Sequence, residues 1–221
     1  MSILLERRAQ SFADASSKFS SASGNRSSPN SRTFPVTVLS HAIQAGLQAI
    51  HLRERDLPTG ELLSLAGDIQ AMATPGGVSL IINDRVDLAM ALGLDGVHLR
   101  TDSLPSHSVR QIVGPHRLIG VSTHSAEDVW HASQGCADYV VLGPIFDTPS
   151  KRSFGPPLGL DLLADVCRSS SMPIFAIGGI TCERVREVRQ AGAHGVAVIG
   201  ALLACDDISV AVREFTRTLE M

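Results

Sequence analysis

The sequence predicts a (β/α)8 barrel, a closed ring of parallel strands wrapped by helices. Three observations predict it. From residue 35 onward, short β-rich apolar runs alternate regularly with amphipathic stretches of helical period. Most of the strand-like runs are apolar throughout, as expected of strands covered on both faces. No G-x-G-x-x-G follows an early strand, which removes the main support for an open, dinucleotide-binding sheet.

The strands are read at "AIHLR" (49–53), "VSLII" (78–82), "DGVHL" (95–99), "RLIGVS" (117–122), "DYVVLG" (138–143), "PIFAIG" (173–178) and "GVAVIG" (195–200). Pro35 suits the first turn of a helix over 36–46, whose Val36, Leu39 and Ile43 share one face. A second helix over 59–73 places Leu62, Leu65, Ala66 and Ile69 at helical spacing. Near the end, Thr181 is expected to cap a helix over 182–191 with Val185 and Val188 inward. Seven strands, each followed by a helix, require parallel crossovers. The eighth strand comes from "SILLE" at the start. "TFPVTVL" (33–39) is the weaker candidate, because using it would shorten the next helix almost to nothing. The chain is thus divided into residues 1–34, a segment with this first strand and a Ser-rich loop, and residues 35–221, the rest of a single-domain barrel.

Composition narrows the function. Hydrophobic residues make up 44% and charged residues 19% of 221, an ordinary globular balance. A net charge of −3 argues against a generic nucleic-acid or anionic-membrane binder, so any anion site has to be local. No apolar run has the length of a membrane span. Cys136, Cys167, Cys182 and Cys205 form no C-x-x-C pair, which favours reduced thiols and a cytoplasmic location. Residues 11–32 contain nine Ser and almost no branched apolar residue, the composition of a loop. Richness in Ser and Arg also gives this stretch a likeness to an organelle transit peptide, but such peptides rarely begin with an apolar patch like "SILL".

Barrel chemistry sits where strands end, so the residues just past each strand carry the argument. They are Arg53, Glu54, Arg55 and Asp56; Asn83, Asp84 and Arg85; Arg100, Thr101, Asp102 and Ser103; Ser122, Thr123 and His124. The loop "GPIFDTPSKRSFGPPLG" (143–159) adds Thr148, Ser150 and Lys151, and the last two strands end in Gly179 and Gly200. A single Arg in such a place is usually a solvated rim residue, and Asn-Asp is often only turn chemistry. Together these groups describe an anion site. The glycine turns lead into helices, whose N–H groups suit a phosphate. With cations across the mouth, a substrate with more than one phosphate is expected. His107, His116 and His131 are read as surface residues, and Trp130 as a packing residue.

The successive motifs "IHLRERDLP", "LIINDRVDLAMALGLDGVHL", "IGVSTHS", "ADYVVLGPIFDTPSK", "PIFAIGGIT" and "AGAHGVAVIGAL" resemble those of the thiamine phosphate synthase/TenI family, in order, from about residue 42 to 203. The resemblance implies a (β/α)8 barrel that joins a pyrimidine pyrophosphate to a thiazole phosphate with Mg2+ as cofactor and releases pyrophosphate. It implies Arg53, Arg55, Ser122 and Lys151 as catalytic groups on the pyrophosphate, with Asn83, Thr148 and Ser150 as further contacts. Gly179, Ile199 and Gly200 match the thiazole-phosphate loops, and Asp84 a Mg2+ ligand. The expected partners are phosphorylated small molecules, not nucleic acid or membrane, and a homo-oligomer is compatible with the fold.

The chain also departs from the family pattern. "HLRTDSLP" stands where "HLGQEDLP" is usual, so the second metal-binding Asp aligns with Ser103. The acid lies one place earlier, at Asp102, from which it is expected to reach Mg2+ directly or through water. Arg100-Thr101 replaces a Gly-Gln pair, Arg55 a Lys, and His51 a Gln at the substrate site. These changes keep two alternatives open: a TenI-type thiazole tautomerase with His124 as its acid/base, and a non-catalytic relative that binds thiazole phosphate for regulation.

Overall fold

The computed structural model describes residues 2–6 and 36–221. Eight strands form one closed barrel in the order of the chain: β1 Ser2–Glu6, β2 Ala49–Leu52, β3 Ser79–Asn83, β4 Gly96–Leu99, β5 Leu118–Thr123, β6 Tyr139–Leu142, β7 Ile174–Ile177 and β8 Gly195–Val198. The helices are α1 Val36–Gln44, α2 Thr59–Ala73, α3 Val86–Leu92, α4 Ser106–Val113, α5 Ala126–Gln134, α6 Gly159–Ser169, α7 Val185–Gln190, the short α8 Gly200–Leu203, and α9 Ile208–Glu220.

Strands β2 to β8 pair in parallel, each with the next. "SILLE" does supply the eighth strand, but it runs antiparallel to both neighbours. Ser2 stands opposite His51, Ile3 opposite Val198, and Glu6 opposite Gly195. In a barrel of seven βα units, the gap between β8 and β2 exposes two unpaired strand edges. A strand of either direction fills their hydrogen bonds. Because this one descends from the mouth, the all-parallel arrangement holds only for β2–β8. The Ser-rich loop, the transit-peptide likeness and Pro35 lie outside the described residues.

Alternation along the strands separates two cores. The outward residues, among them Ile50, Leu80, Ile82, Val97, Ile119, Val140 and Val196, are buried under the helices. Each helix turns an apolar stripe to them: Leu62, Ala66, Ile69 and Ala73 on α2, Val185 and Val188 on α7, and Ile208, Val212, Phe215 and Leu219 on α9. The inward residues Ala49, Ile81, Tyr139, Val141, Phe175 and Ala197 fill the barrel itself. Gly120 is required there, since a Cβ would run into the Tyr139 ring and come within 2.6 Å of His98 Nδ1. Thr181 gives no side-chain cap. The segment it precedes opens as a tighter 3-10 turn, Cys182–Arg184, before α7. Trp130 lies exposed on α5 against the edge of His131, so it is not a packing residue, while His107, His116 and His131 are exposed as expected. Among the described residues no helix is long and apolar enough to cross a membrane.

Candidate active site

Continuing the two-residue alternation past the strand ends leads from the barrel core to its mouth. His51 follows Ala49, Asn83 follows Ile81, and Ser122 lies two places beyond Gly120. The floor of the mouth is polar. His98 is buried, with Nε2 2.9 Å from Ser122 Oγ and Nδ1 3.3 Å from Tyr139 Oη. One ring nitrogen of a neutral imidazole donates and the other accepts, so one hydroxyl accepts from the ring and the other donates to it. Burial, and secondly the charge of Arg53, lowers the His98 pKa to about 3. His51 stacks beside it at 4.4 Å between ring centroids and is held well below the usual histidine range, chiefly by burial and then by His98. Both rings are therefore neutral at pH 7. Nε2 of His51 is buried without a hydrogen-bond partner among the described residues, which leaves one polar atom for a ligand to satisfy.

Above this floor, guanidinium groups converge. The Arg53 pKa is lowered first by partial burial and then by the charges of Arg55 and Arg100, with Asp84 and Glu54 opposing them. Arg53 thus lies in the field of Arg55 at the end of its own strand and of Arg100 at the end of β4, a local excess of cations that suits an anion.

Asp84 sits among them in the left-handed backbone region at φ 58°, a conformation that Asp tolerates better than most residues. Its backbone N–H donates to the His98 carbonyl at 2.9 Å, which fixes the turn from β3 into α3 to the neighbouring strand. The Asn83 amide donates to Asp84 Oδ2 at 2.9 Å, and the Ser103 hydroxyl donates to Oδ1 by a short hydrogen bond. Ser103 Oγ also accepts the Arg100 backbone N–H at 2.8 Å. Arg100 Nε lies 3.6 Å from Asp84 Oδ2 and donates to Asp102 Oδ1 at 2.8 Å, while its Nη2 pairs with Asp102 Oδ2. Asp84, Val86, Leu99, Arg100, Asp102, Ser103 and Leu104 line a cavity of about 200 Å³.

Mg2+ demands near-octahedral oxygen ligands at about 2.1 Å. Here both Asp84 oxygens already accept donors, Asp102 is gripped through both oxygens, and the group between them is itself a cation. Among the described residues no set of three or more His, Cys, Asp or Glu could hold a metal. The acid pair in this arrangement does not fit a resident Mg2+.

Opposite β2 in the ring, β6 leads into the loop 143–159. Its first residues extend the pairing with β7, through Ile145 N–H to the Ile177 carbonyl and Phe146 N–H to the Gly178 carbonyl. Its end folds back, with the Leu158 N–H donating to the Pro144 carbonyl at 2.8 Å. Between these stitches stands a 3-10 turn, Pro149–Phe154, whose Thr148 carbonyl accepts the Lys151 N–H at 3.0 Å. Asp147 pairs with Arg152 by 3.0 and 2.5 Å contacts, which braces the turn from outside. Thr148 and Lys151 are half-buried on this rim, and the Ser150 side chain lies outside the described residues. His124 Nδ1 donates to the Gly143 carbonyl at 2.6 Å, an orientation that settles its tautomer when neutral.

Gly179 lies two residues past β7 at φ +64°, and a Cβ there would stand 2.6 Å from the Asp147 carbonyl. Arg184 donates to the Gly179 carbonyl at 2.6 Å while its guanidinium lies 4.5 Å above the Phe146 ring, so one side chain locks this turn to the β6 loop. At the end of β8, Ile199 and Gly200 are exposed, and nothing lies within 4 Å of where a Cβ would be on Gly200.

Every proposed site residue with a described side chain therefore stands on the one face where the parallel strands end. The sequence reading missed His98, Tyr139 and Arg184. A signal for the first was present: "AIHL" and "GVHL" each place a His one residue before the last Leu, on the inward alternation.

The family described as thiamine monophosphate synthase matches residues 26–202. A thiamine-phosphate synthase of Roseiflexus sp. (strain RS-1) is 42% identical over 176 residues, covering 80% of this chain and 75% of that protein. One from Methanoculleus marisnigri is 44% identical over 172 residues, 78% of this chain and 82% of that protein. Among solved structures, a thiamine phosphate pyrophosphorylase from Pyrococcus furiosus superposes with a TM-score of 0.77 at 31% identity, covering 84% of this chain and 89% of that one.

Proposed function

The chain belongs to the thiamine monophosphate synthase family, and we propose that it is a transferase making thiamine phosphate from 4-amino-2-methyl-5-hydroxymethylpyrimidine pyrophosphate and 4-methyl-5-hydroxyethylthiazole phosphate. The observation that carries the assignment of roles is the cationic field that Arg55 and Arg100 set up around Arg53 at the mouth. In the reaction the bond between the pyrimidine methylene carbon and the pyrophosphate oxygen breaks, its electron pair leaving with the oxygen. The thiazole nitrogen forms the new bond to that carbon.

Negative charge grows on the departing oxygen, so fixed cations around it stabilise the transition state more than the ground state. Arg53 and Arg55 receive the pyrophosphate from one side and Lys151, with Thr148 and Ser150, from the other. This makes the 143–159 loop a clamp. Asn83 and Ser122 line the space between, with Ser122 held by His98. His51 offers its unpartnered Nε2 to the substrate, and His124 holds the root of the clamp through Gly143. The turns at Gly179, Ile199 and Gly200 take the thiazole phosphate.

The test is direct: incubate the purified chain with both substrates and measure thiamine phosphate and pyrophosphate. The two should appear in equal amounts. Binding of thiazole phosphate without either product, or isomerisation of a thiazole phosphate carboxylate in their place, would overturn the proposal.

A further inference from the structure

The acid pair at the ends of β3 and β4 holds its own cation. We propose that the Arg100 guanidinium occupies the position between Asp84 and Asp102 that a divalent ion would need, so that the chain holds no resident metal there. This deepens the synthase reading and rests on it for the pyrophosphate that meets these cations, whereas the statement about the acid pair stands on geometry alone.

Three features of this chain meet at one point. Arg100 grips Asp102 in the paired, planar geometry that suits guanidinium to carboxylate, and its Nε also faces Asp84 at 3.6 Å. Ser103 cannot supply a second carboxylate. Its hydroxyl is committed in both directions, accepting from the Arg100 backbone and donating to Asp84. The remaining Asp84 oxygen takes the Asn83 amide. A divalent ion would have to displace a side chain anchored on the same four-residue turn, which the Ser103 N–H closes onto the Arg100 carbonyl at 3.2 Å. It would also have to enter a field already made positive by Arg53 and Arg55.

The balance of charge is consistent with this. Each acid of the pair is already matched by a guanidinium, Asp102 by Arg100 and Asp84 by Arg100 and Arg53, and Glu54 opposes Arg53 as well. The pyrophosphate leaving group then meets side-chain cations whose positions are set before it arrives.

Mn2+ is the probe, read by the loss of the free-ion electron paramagnetic resonance signal when the full chain is titrated. The wild type should bind Mn2+ no tighter than about millimolar, while Arg100→Gly, and Arg100→Gln as a variant of nearer size, should bind at least about tenfold tighter once the competing cation is gone. Asp84→Asn added to either variant should cancel that gain. Equal affinity in wild type and both Arg100 variants, or a micromolar site in the wild type, would overturn the assignment.

Turnover supplies the second arm. Thiamine phosphate formation from the two substrates, measured with and without Mg2+, tests the synthase reading separately. Should no product form with or without Mg2+, the synthase reading fails, and the Mn2+ titration still decides the role of Arg100.

Discussion

Acidification from pH 7 to pH 5 should destabilise this barrel through a residue with no exposed charge. His98 is buried in the barrel interior, between the Ser122 and Tyr139 hydroxyls. Its pKa is about 3 in the fold against 6.5 when unfolded. At pH 5 the unfolded chain carries nearly one proton at this position and the folded chain nearly none, so acid favours unfolding. The contribution is complete above pH 6.5 and is lost as the pH falls toward 3. Between pH 7 and pH 5 the loss is roughly 2 kcal/mol from this ring alone. For a chain of this size that corresponds to a melting point lower by about 4–8 °C. His51 acts in the same direction. Urea unfolding followed by far-UV circular dichroism, at pH 7 and pH 5, measures the total. His98→Asn isolates the ring, because its amide keeps a donor and an acceptor but does not titrate. Carboxylates contribute equally to both proteins and cancel. The variant should start less stable and lose about 2 kcal/mol less on acidification. A variant that falls as steeply as the wild type would refute the buried, neutral ring.

Three other predictions concern the mouth. Lys151→Ala should lower kcat about a hundredfold, the usual loss of one transition-state electrostatic contact, while thiazole-phosphate affinity by calorimetry stays unchanged; equal loss of both would contradict the division of roles. Gly179→Ala forces a Cβ into the left-handed region and against the Asp147 carbonyl, so it should cost about 1–2 kcal/mol in urea unfolding and raise KM for thiazole phosphate. Pyrophosphate alone should raise the melting temperature of the wild type, less so as salt is added, and Arg53→Gln should abolish the effect, which differential scanning fluorimetry can follow.

The strands β2–β8 were legible because they are buried on both faces, and a run of Val, Ile and Leu reports that burial directly. Their bounds shifted by a residue or so, as at "AIHLR", where Arg53 already belongs to the mouth. The direction of β1 was not legible. Three apolar residues in a row, Ile3, Leu4 and Leu5, state that a strand is covered, but strand sense is set by the connection, and twenty-nine residues separate Glu6 from Val36. The rim residues could be named from their position after strands. What they touch could not, because that depends on turn geometry. Arg100 folds onto Asp102 two places away only because the Arg100–Ser103 turn brings them together. His98 was hidden by its company, as a polar ring within "GVHL" reads as part of an apolar run. Trp130 illustrates the converse: a helical position and a large ring suggest packing, yet the ring faces solvent.

Acids within an anion site need a reason, and the geometry supplies one that differs from metal binding. Asp102 holds Arg100 through both carboxylate oxygens, and Asp84 offsets part of the repulsion that Arg53 meets from its cationic neighbours. The left-handed turn tied to His98 keeps the Asp84 carboxylate in place. On this account the acids hold cations ready for the anion, and the anion then competes with them for the same groups. Asp84→Asn separates this from a bridging role. Asparagine tolerates the left-handed backbone and still accepts the Ser103 hydroxyl, but it carries no charge. If Asp84 only positions cations, pyrophosphate in metal-free buffer should bind the variant about two- to tenfold tighter, because a competing negative charge has gone. If Asp84 carries a metal that bridges to pyrophosphate, the variant should gain nothing without metal and lose affinity when Mg2+ is present. Calorimetric titration of pyrophosphate with and without Mg2+ reads both, and weaker binding in Mg2+ alone would refute the positioning role.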